Sequence, residues 1–254
     1  MKAFKVALAP FLAFCPRVRT LGVRACLNDY SEEEKRLLRE ADRVFFPTPR
    51  YLDVFQALAK PTFPGPASYR YQRSRVMQQL LFQYLKLPHP RSRICFGNRQ
   101  KQLAAPTFRV PFLVLGPRMA PDTVHLVDRP EIFEGYIHRY NPLIIQENVE
   151  WTERVRLIFV RFRCIGALRT AGACASSKLF EPIAPEHKTL KHIMSLTEVL
   201  VRTGRLDDVM IEWGNGETGW ELTGISRPPV RWSAPDGIMN RYHYICQLIQ
   251  SGLL

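Results

Sequence analysis

Residues 207–225, DDVMIEWGNGETGWELTGI, decide the reading of this chain. Val209, Ile211 and Trp213 are separated by single residues, and Trp220 and Leu222 resume that spacing after Asn215-Gly216. A period of two marks strands with one buried face, and Asn-Gly between two such runs predicts a hairpin, because a type I′ turn needs positive φ at both central residues. With those two residues as the loop, Asp208 lies opposite Thr223 and Met210 opposite Glu221. Val209, Ile211, Trp213, Trp220 and Leu222 then form the core face, while Asp208, Met210, Glu212, Glu221 and Thr223 share the other. Carboxylates gathered on one face repel unless a cation or basic group offsets them, and oxygen ligands so spaced suit Mg²⁺ holding nucleotide phosphates. A solvated polar face on an edge hairpin is the competing account.

Upstream, residues 156–169 (RLIFVRFRCIGALR) read as another long hairpin and 184–204 as a helix closing on Gly204. Before them come an apolar strand at 142–146 (PLIIQ), a helix at 130–140, and short strands at 93–97 (RICFG) and 110–117 (VPFLVLGP). A helix at 75–85 (RVMQQLLFQYL) stops before Pro88 and Pro90. The first 65 or so residues alternate strand and helix. Residues 4–14 (FKVALAPFLAF) read as a first strand and not a secretory signal, and Ser31 with Glu34 forms a capping box ahead of a helix. The proline-rich stretch 61–69 (PTFPGPASY) marks a boundary. The fold class expected is α+β with a small leading α/β domain over residues 1–70.

Composition narrows the function. A chain of 254 residues with 46% hydrophobic content buries a real core, and no apolar run reaches membrane-spanning length. The net charge of +13 fits nucleic acid, an anionic surface or a polyanionic small ligand, but the basic residues are dispersed and not gathered in a tail. Stretches such as YRYQRSR (69–75) suit single-stranded nucleic acid, yet no RNA-binding signature accompanies them, so nucleic acid is not the expected partner. Six cysteines without a C-x-x-C pair read as reduced thiols of a cytoplasmic protein. The six histidines hold no H-E-x-x-H, and G-x-S-x-G, Walker and G-x-G-x-x-G patterns are missing; Gly214-Asn215-Gly216 reads as turn chemistry.

Taken in order, these segments resemble the ATP-grasp superfamily, in particular carboxylate–amine ligases of the D-alanine–D-alanine ligase and ribosomal-S6-modifying type. The resemblance covers roughly residues 60–229 and implies a two-lobed domain over 71–254, with lobes of about 71–145 and 146–254. In that family a metal-binding Asp is followed thirteen residues later by a Glu and then by an Asn. Asp208, Glu221 and Thr223 fall at those positions, the last a departure that weakens one metal site. PLIIQENV (142–149) is similar to the family's hinge, which implies that Gln146, Glu147, Asn148 and Val149 border the adenine, with Glu153 near the ribose. Arg156 and Arg169, thirteen apart, are similar to the arginines that frame the phosphates and the substrate carboxylate, and Arg75 takes the place of a phosphate-contacting lysine.

The second family lysine and the glycine-rich phosphate loop have no counterpart in 115–127, where Arg118 is the nearest cation. The resemblance therefore implies ATP and Mg²⁺ as cofactors and one of two functions. The first is a ligase that joins a small-molecule or peptide carboxylate to an amine through an acyl phosphate. The second is a nucleotide-binding or interaction protein that has kept the fold and lost turnover. Neither substrate identity nor oligomeric state is legible.

Overall fold

The structure, a computed structural model, describes residues 5–171, 180–235 and 237–254. Strands β1 (Lys5–Ala7), β2 (Val18–Thr20), β3 (Arg43–Phe45) and β4 (Thr62–Phe63) form a parallel sheet in the order β2-β1-β3-β4. Helices α1 (Glu32–Glu40) and α2 (Pro49–Ala57) make the last two crossovers. The capping box forms as read: the Glu34 amide donates to Ser31 Oγ at 3.2 Å, and the Ser31 amide donates to the Glu34 carboxylate at 2.8 Å.

Helices α3 (Pro66–Arg73) and α4 (Arg75–Tyr84) lead into an antiparallel sheet of β5 (Ser92–Cys95), β6 (Phe112–Leu115), β7 (Val124–Val127) and β8 (Leu143–Glu147), ordered β5-β8-β6-β7. Helices α5 (Gly97–Ala104) and α6 (Pro130–Ile137) contribute Ala104, Phe133 and Ile137 to its core. After residues 148–152 the chain enters the largest sheet. It contains β9 (Glu153–Val160), β10 (Arg163–Ala171), β11 (Glu181–Ile183), β12 (Asp208–Gly216) and β13 (Gly219–Ser226), ordered β11-β10-β9-β12-β13 and antiparallel throughout. Helix α7 (Lys191–Thr203) precedes β12, and a hairpin of β14 (Arg231–Ala234) and β15 (Gly237–Asn240) precedes α8 (Arg241–Gln250).

The odd-numbered residues Val155, Leu157, Phe159, Ile211 and Trp213 of this sheet are buried with Leu81 and Phe82 of α4 and Leu200 and Val201 of α7. The opposite face carries Ile158, Leu168 and Met210, packed against Trp232. Helix α8 returns to the leading sheet, where Ile245, Leu248 and Ile249 pack with Ala7, Phe45 and Phe63. Cys15, Cys26, Cys95, Cys164 and Cys246 are free thiols; Cys174 lies outside the described residues. Among the described residues no helix is long and apolar enough to cross a membrane.

The hairpin that decides the fold forms, but its turn is not at Asn215-Gly216. Gly216 pairs with Gly219, so Glu217 and Thr218 make the tip, and Gly219 takes the positive φ of +104°. Gly214 and Gly216 are strand residues for a steric reason. A Cβ on Gly214 would lie 2.4 Å from Cδ2 of Trp151, and one on Gly216 3.0 Å from Val149 Cγ1, so the glycines admit the 148–152 connection against the strand backbone. The register shifts accordingly: Met210 faces Ser226, Glu212 faces Gly224 and Gly214 faces Glu221, with an irregularity at Thr223. The expected pairs Asp208–Thr223 and Met210–Glu221 do not form, although the core face is as the alternation predicted. The turn with two positive φ values is at the tip of β9–β10 instead, in Arg161 (48°) and Phe162 (63°).

Candidate functional site

The face of the central sheet opposite its main core is set by alternation: Arg154, Arg156 and Ile158 of β9 stand beside Met210 and Glu212 of β12 and Leu168 of β10. Glu212 accepts from Arg156 Nε at 2.6 Å and lies 3.6 Å from Arg154 Nη1. The Arg156 guanidinium also covers the Phe180 ring at 3.8 Å from its centroid. Beyond them opens a cavity of about 350 Å³ whose walls include Arg156, Phe180, Met210, Arg227, Arg231 and Trp232. Trp232 reaches the sheet because β10 has glycine where it packs: a Cβ on Gly166 would stand 2.4 Å from the indole Nε1. That indole N–H is buried without an acceptor among the described residues.

The residues singled out by the resemblance are dispersed over this frame. Asp208 pairs with Val160 at the start of β12, whereas Glu221 faces Gly214, so the two are separated by the six strand positions from 208 to 214, about 20 Å. They do not share a metal ion, and Thr223 spends its hydroxyl on the Glu212 carbonyl at 3.0 Å. Among the described residues no group of three or more His, Cys, Asp or Glu side chains is placed to hold a metal. Asp208 is 2% exposed and lies 3.8 Å from Nε of the fully buried Arg241. Burial pushes its carboxyl up to about 6, against the opposing pull of Arg241.

Arg156 and Arg169 do not frame one ligand. Arg156 faces Leu168 across the hairpin and Arg169 faces Val155, so they project from opposite faces. The irregularity between Cys164 and Gly166 contributes to this register. Arg169 pairs instead with Glu153 at 2.5 Å, which occupies the carboxylate assigned to ribose. Arg75, too, is engaged within the fold. Its guanidinium donates to the Gly116 and Ala120 carbonyls, both at 3.2 Å, and to Thr123 Oγ1 at 2.6 Å, tying α4 to the loop after β6.

The hinge segment keeps its predicted place: β8 ends in Gln146 and Glu147, and Asn148 and Val149 begin the connection to the central sheet. Gln146 Oε1 accepts from Gln79 at 3.5 Å, the Glu147 amide donates to the Arg91 carbonyl at 2.9 Å, Asn148 is exposed, and Val149 packs against Gly216. Glu221 is near this hinge. Burial raises its carboxyl and Glu147 adds to the rise, while Thr218 and His89 oppose it; its Oε2 is buried without a hydrogen bond. Glu212 and Glu221 lie diagonally on one face, Glu221 opposite Gly214 two positions along β12 from Glu212. The sequence placed Glu212 on that face without a role. It gave no hint of Trp232, Arg227 or Arg231, which follow the last recognisable motif.

No family profile and no curated protein matches the chain. Solved structures do. A RimK-domain ATP-grasp protein from Sphaerobacter thermophilus superposes with a TM-score of 0.66 at 14% identity, covering 89% of this chain and 91% of that one. The D-alanyl-alanine synthetase A of Vibrio cholerae gives 0.66 at 11% identity over 99% and 98% of the two chains. An N5-carboxyaminoimidazole ribonucleotide synthetase, solved as its ADP complex, gives 0.66 at 12% identity; it is matched over 88% of this chain but only 63% of its own length. The fold is therefore the ATP-grasp fold. The chain is similar to the RimK-domain and D-alanyl-alanine synthetase structures over nearly their whole length.

Proposed function

We propose that the protein binds ATP between the β5-β8-β6-β7 sheet and the central sheet, adenine at the 146–149 connection and phosphates toward the guanidinium-rich face of β9 and β12, and that it does so without the Asp208–Glu221 metal pair. One observation carries this reading. Arg154, Arg156, Arg227 and Arg231 stand on or beside that face, and among the described residues Glu212 is the one carboxylate tied to them by an ion pair, so positive charge for the phosphates comes from side chains. Dispersed basic charge steers a polyanion to the same cleft.

Titration calorimetry tests it. ATP is expected to bind with and without Mg²⁺ at similar affinity, and Arg156→Gln to weaken it by about tenfold, the cost of one charge-assisted contact. Binding abolished by removing Mg²⁺ sinks the reading.

A second reading, ATP-dependent ligation of a carboxylate to an amine, is favoured by the diagonal Glu212–Glu221 pair and the bare Glu221 Oε2. These two residues would hold Mg²⁺, whose chemistry there is to offset charge on the transferred phosphoryl group. In that case Glu221→Gln removes Mg²⁺-dependent ADP release while Asp208→Asn leaves it intact.

A further inference from the structure

The strands of the leading sheet run parallel, so their amino ends share one end of that sheet. Each strand begins on a cation or within two residues after one. In sheet order these are Arg17 before β2, Lys5 opening β1, Arg43 opening β3 and Lys60 before β4. The register sets Lys5 directly beside Arg43 and beside Val18, the neighbour of Arg17. Three inter-strand steps of about 4.8 Å make a row of roughly 14 Å. Arg161, exposed at the β9–β10 tip, extends it next to Arg43. Basic residues dispersed along the chain are gathered here by topology.

None of these five cations forms an ion pair among the described residues. Arg17 donates to the Gln250 carbonyl at 2.6 Å, Lys60 to the Arg39 and Ala41 carbonyls at 2.6 and 2.7 Å, and Lys5 to the Leu254 main-chain oxygen. The carbonyls hold the heads of Arg17 and Lys60 in place without cancelling their charge. Arg43 is half-buried, and burial and the nearby Arg161 hold its guanidinium below the ordinary value. Asp207 opposes them, but its carboxylate already accepts from the Gly65 amide at 2.9 Å and from Ser68 Oγ at 2.7 Å. Burial, then Arg43 and Arg17, likewise lower Lys5 against the pull of Asp42. Glu40 and Asp42, the exposed acids of the connection into β3, are outnumbered. Like charges held this close repel, and an anion from outside offsets them. At the Arg17 end of the row, Phe14 is 50% exposed, its ring held edge-on to His243 at 4.7 Å. A fixed, half-open ring beside a cationic row supplies both a stacking platform for a base and charge for a backbone.

We propose that this row is a docking surface for single-stranded nucleic acid. Successive phosphates lie along Arg17, Lys5, Arg43 and Arg161, and a base stacks on Phe14. Roughly 14 Å spans about four phosphates at a stacked rise of about 3.4 Å. The surface goes beyond the nucleotide reading and stands without it: Arg161 follows Val160 at the far end of β9 from the hinge, roughly 25 Å along the strand.

The test is fluorescence anisotropy of the full chain with a labelled oligouridine of about 16 nucleotides, over a series of salt concentrations. Log affinity is expected to fall against log salt with a slope of about −2 to −3, as three or four neutralised phosphates require. Arg43→Gln and Arg161→Gln are each expected to lessen that slope by about 0.7, whereas Arg109→Gln, exposed before β6, leaves it unchanged. Phe14→Ala is expected to weaken binding by about fivefold or more at an unaltered slope. Absence of binding, a slope unaltered in both Arg43→Gln and Arg161→Gln, an affinity unaltered in Phe14→Ala, or equally tight binding of a polyglutamate of the same length overturns the proposal. If Arg43→Gln does not fold, as circular dichroism would report, the exposed Arg161→Gln decides alone. ATP titrated into the parent reports separately: its failure to bind sinks the nucleotide reading and leaves the oligonucleotide result standing, and the reverse.

Discussion

Asp208 carries the clearest consequence of burial on a single side chain. Desolvation raises its carboxyl to about 6 from an ordinary value of 3.8, and the adjacent Asp207 is raised by the same cause. The folded protein therefore holds a proton on Asp208 that the unfolded chain has already released between those two values. Between pH 4 and 6 the native state binds more protons than the unfolded one, so stability falls as pH rises, by about 3 kcal/mol for a shift of this size. Asp208→Asn imitates the protonated form and removes that loss. Its stability relative to the parent, from urea midpoints, is expected to grow from pH 4 to pH 6 and then level; a gap independent of pH would refute this account. The residue types at this site were readable in the sequence, as was the face on which Glu212 and Glu221 sit. Their partners were not: Arg241 meets Asp208 across 33 residues of chain, and a spacing rule carries no information about that contact.

At the scale of elements, glycines decide where strands and turns fall. Asn215-Gly216 has the local chemistry of a hairpin tip, and without the rest of the molecule it would be one. Trp151 overrides it by packing on the glycine backbone of β12, which moves the tip to Glu217-Thr218 and resets every cross-strand partner. Gly214→Ala places a Cβ 2.4 Å from the indole and is expected to cost about 1–3 kcal/mol by overpacking. Gly216→Ala, whose nearest obstacle is the end of the Val149 side chain at 3.0 Å, is expected to cost less. Denaturation midpoints of the two variants, read at constant m-value, rank them; the reverse order would mean that Trp151 is not what holds the register. Hairpins, helices α4 and α7 and the capping box of α1 were legible because period and caps are local properties. The turn was misplaced because its determinant lies 63 residues away in sequence.

For the whole molecule the informative feature is the return of α8 to the leading sheet. Ile249 is fully buried among residues of β1, β3 and β4, so the first and last segments share one core. Ile249→Ala is expected to lower global stability by about 2–5 kcal/mol, in one transition reported alike by far-ultraviolet circular dichroism and tryptophan fluorescence. Two separate transitions, with only one displaced, would show that the leading unit unfolds independently of the central sheet. The sequence by itself determined the α+β class, the two long hairpins with helices α1, α4, α6 and α7 and, through the succession of motifs, the ATP-grasp fold, because amphipathic period, capping and chain order are written along one dimension. Only the tertiary structure decided which side chains meet. It sent Arg156 and Arg169 to opposite faces, buried Asp208 against Arg241 and gathered guanidinium groups around Glu212, because register, bulges and long-range packing set distances that no spacing along the chain encodes.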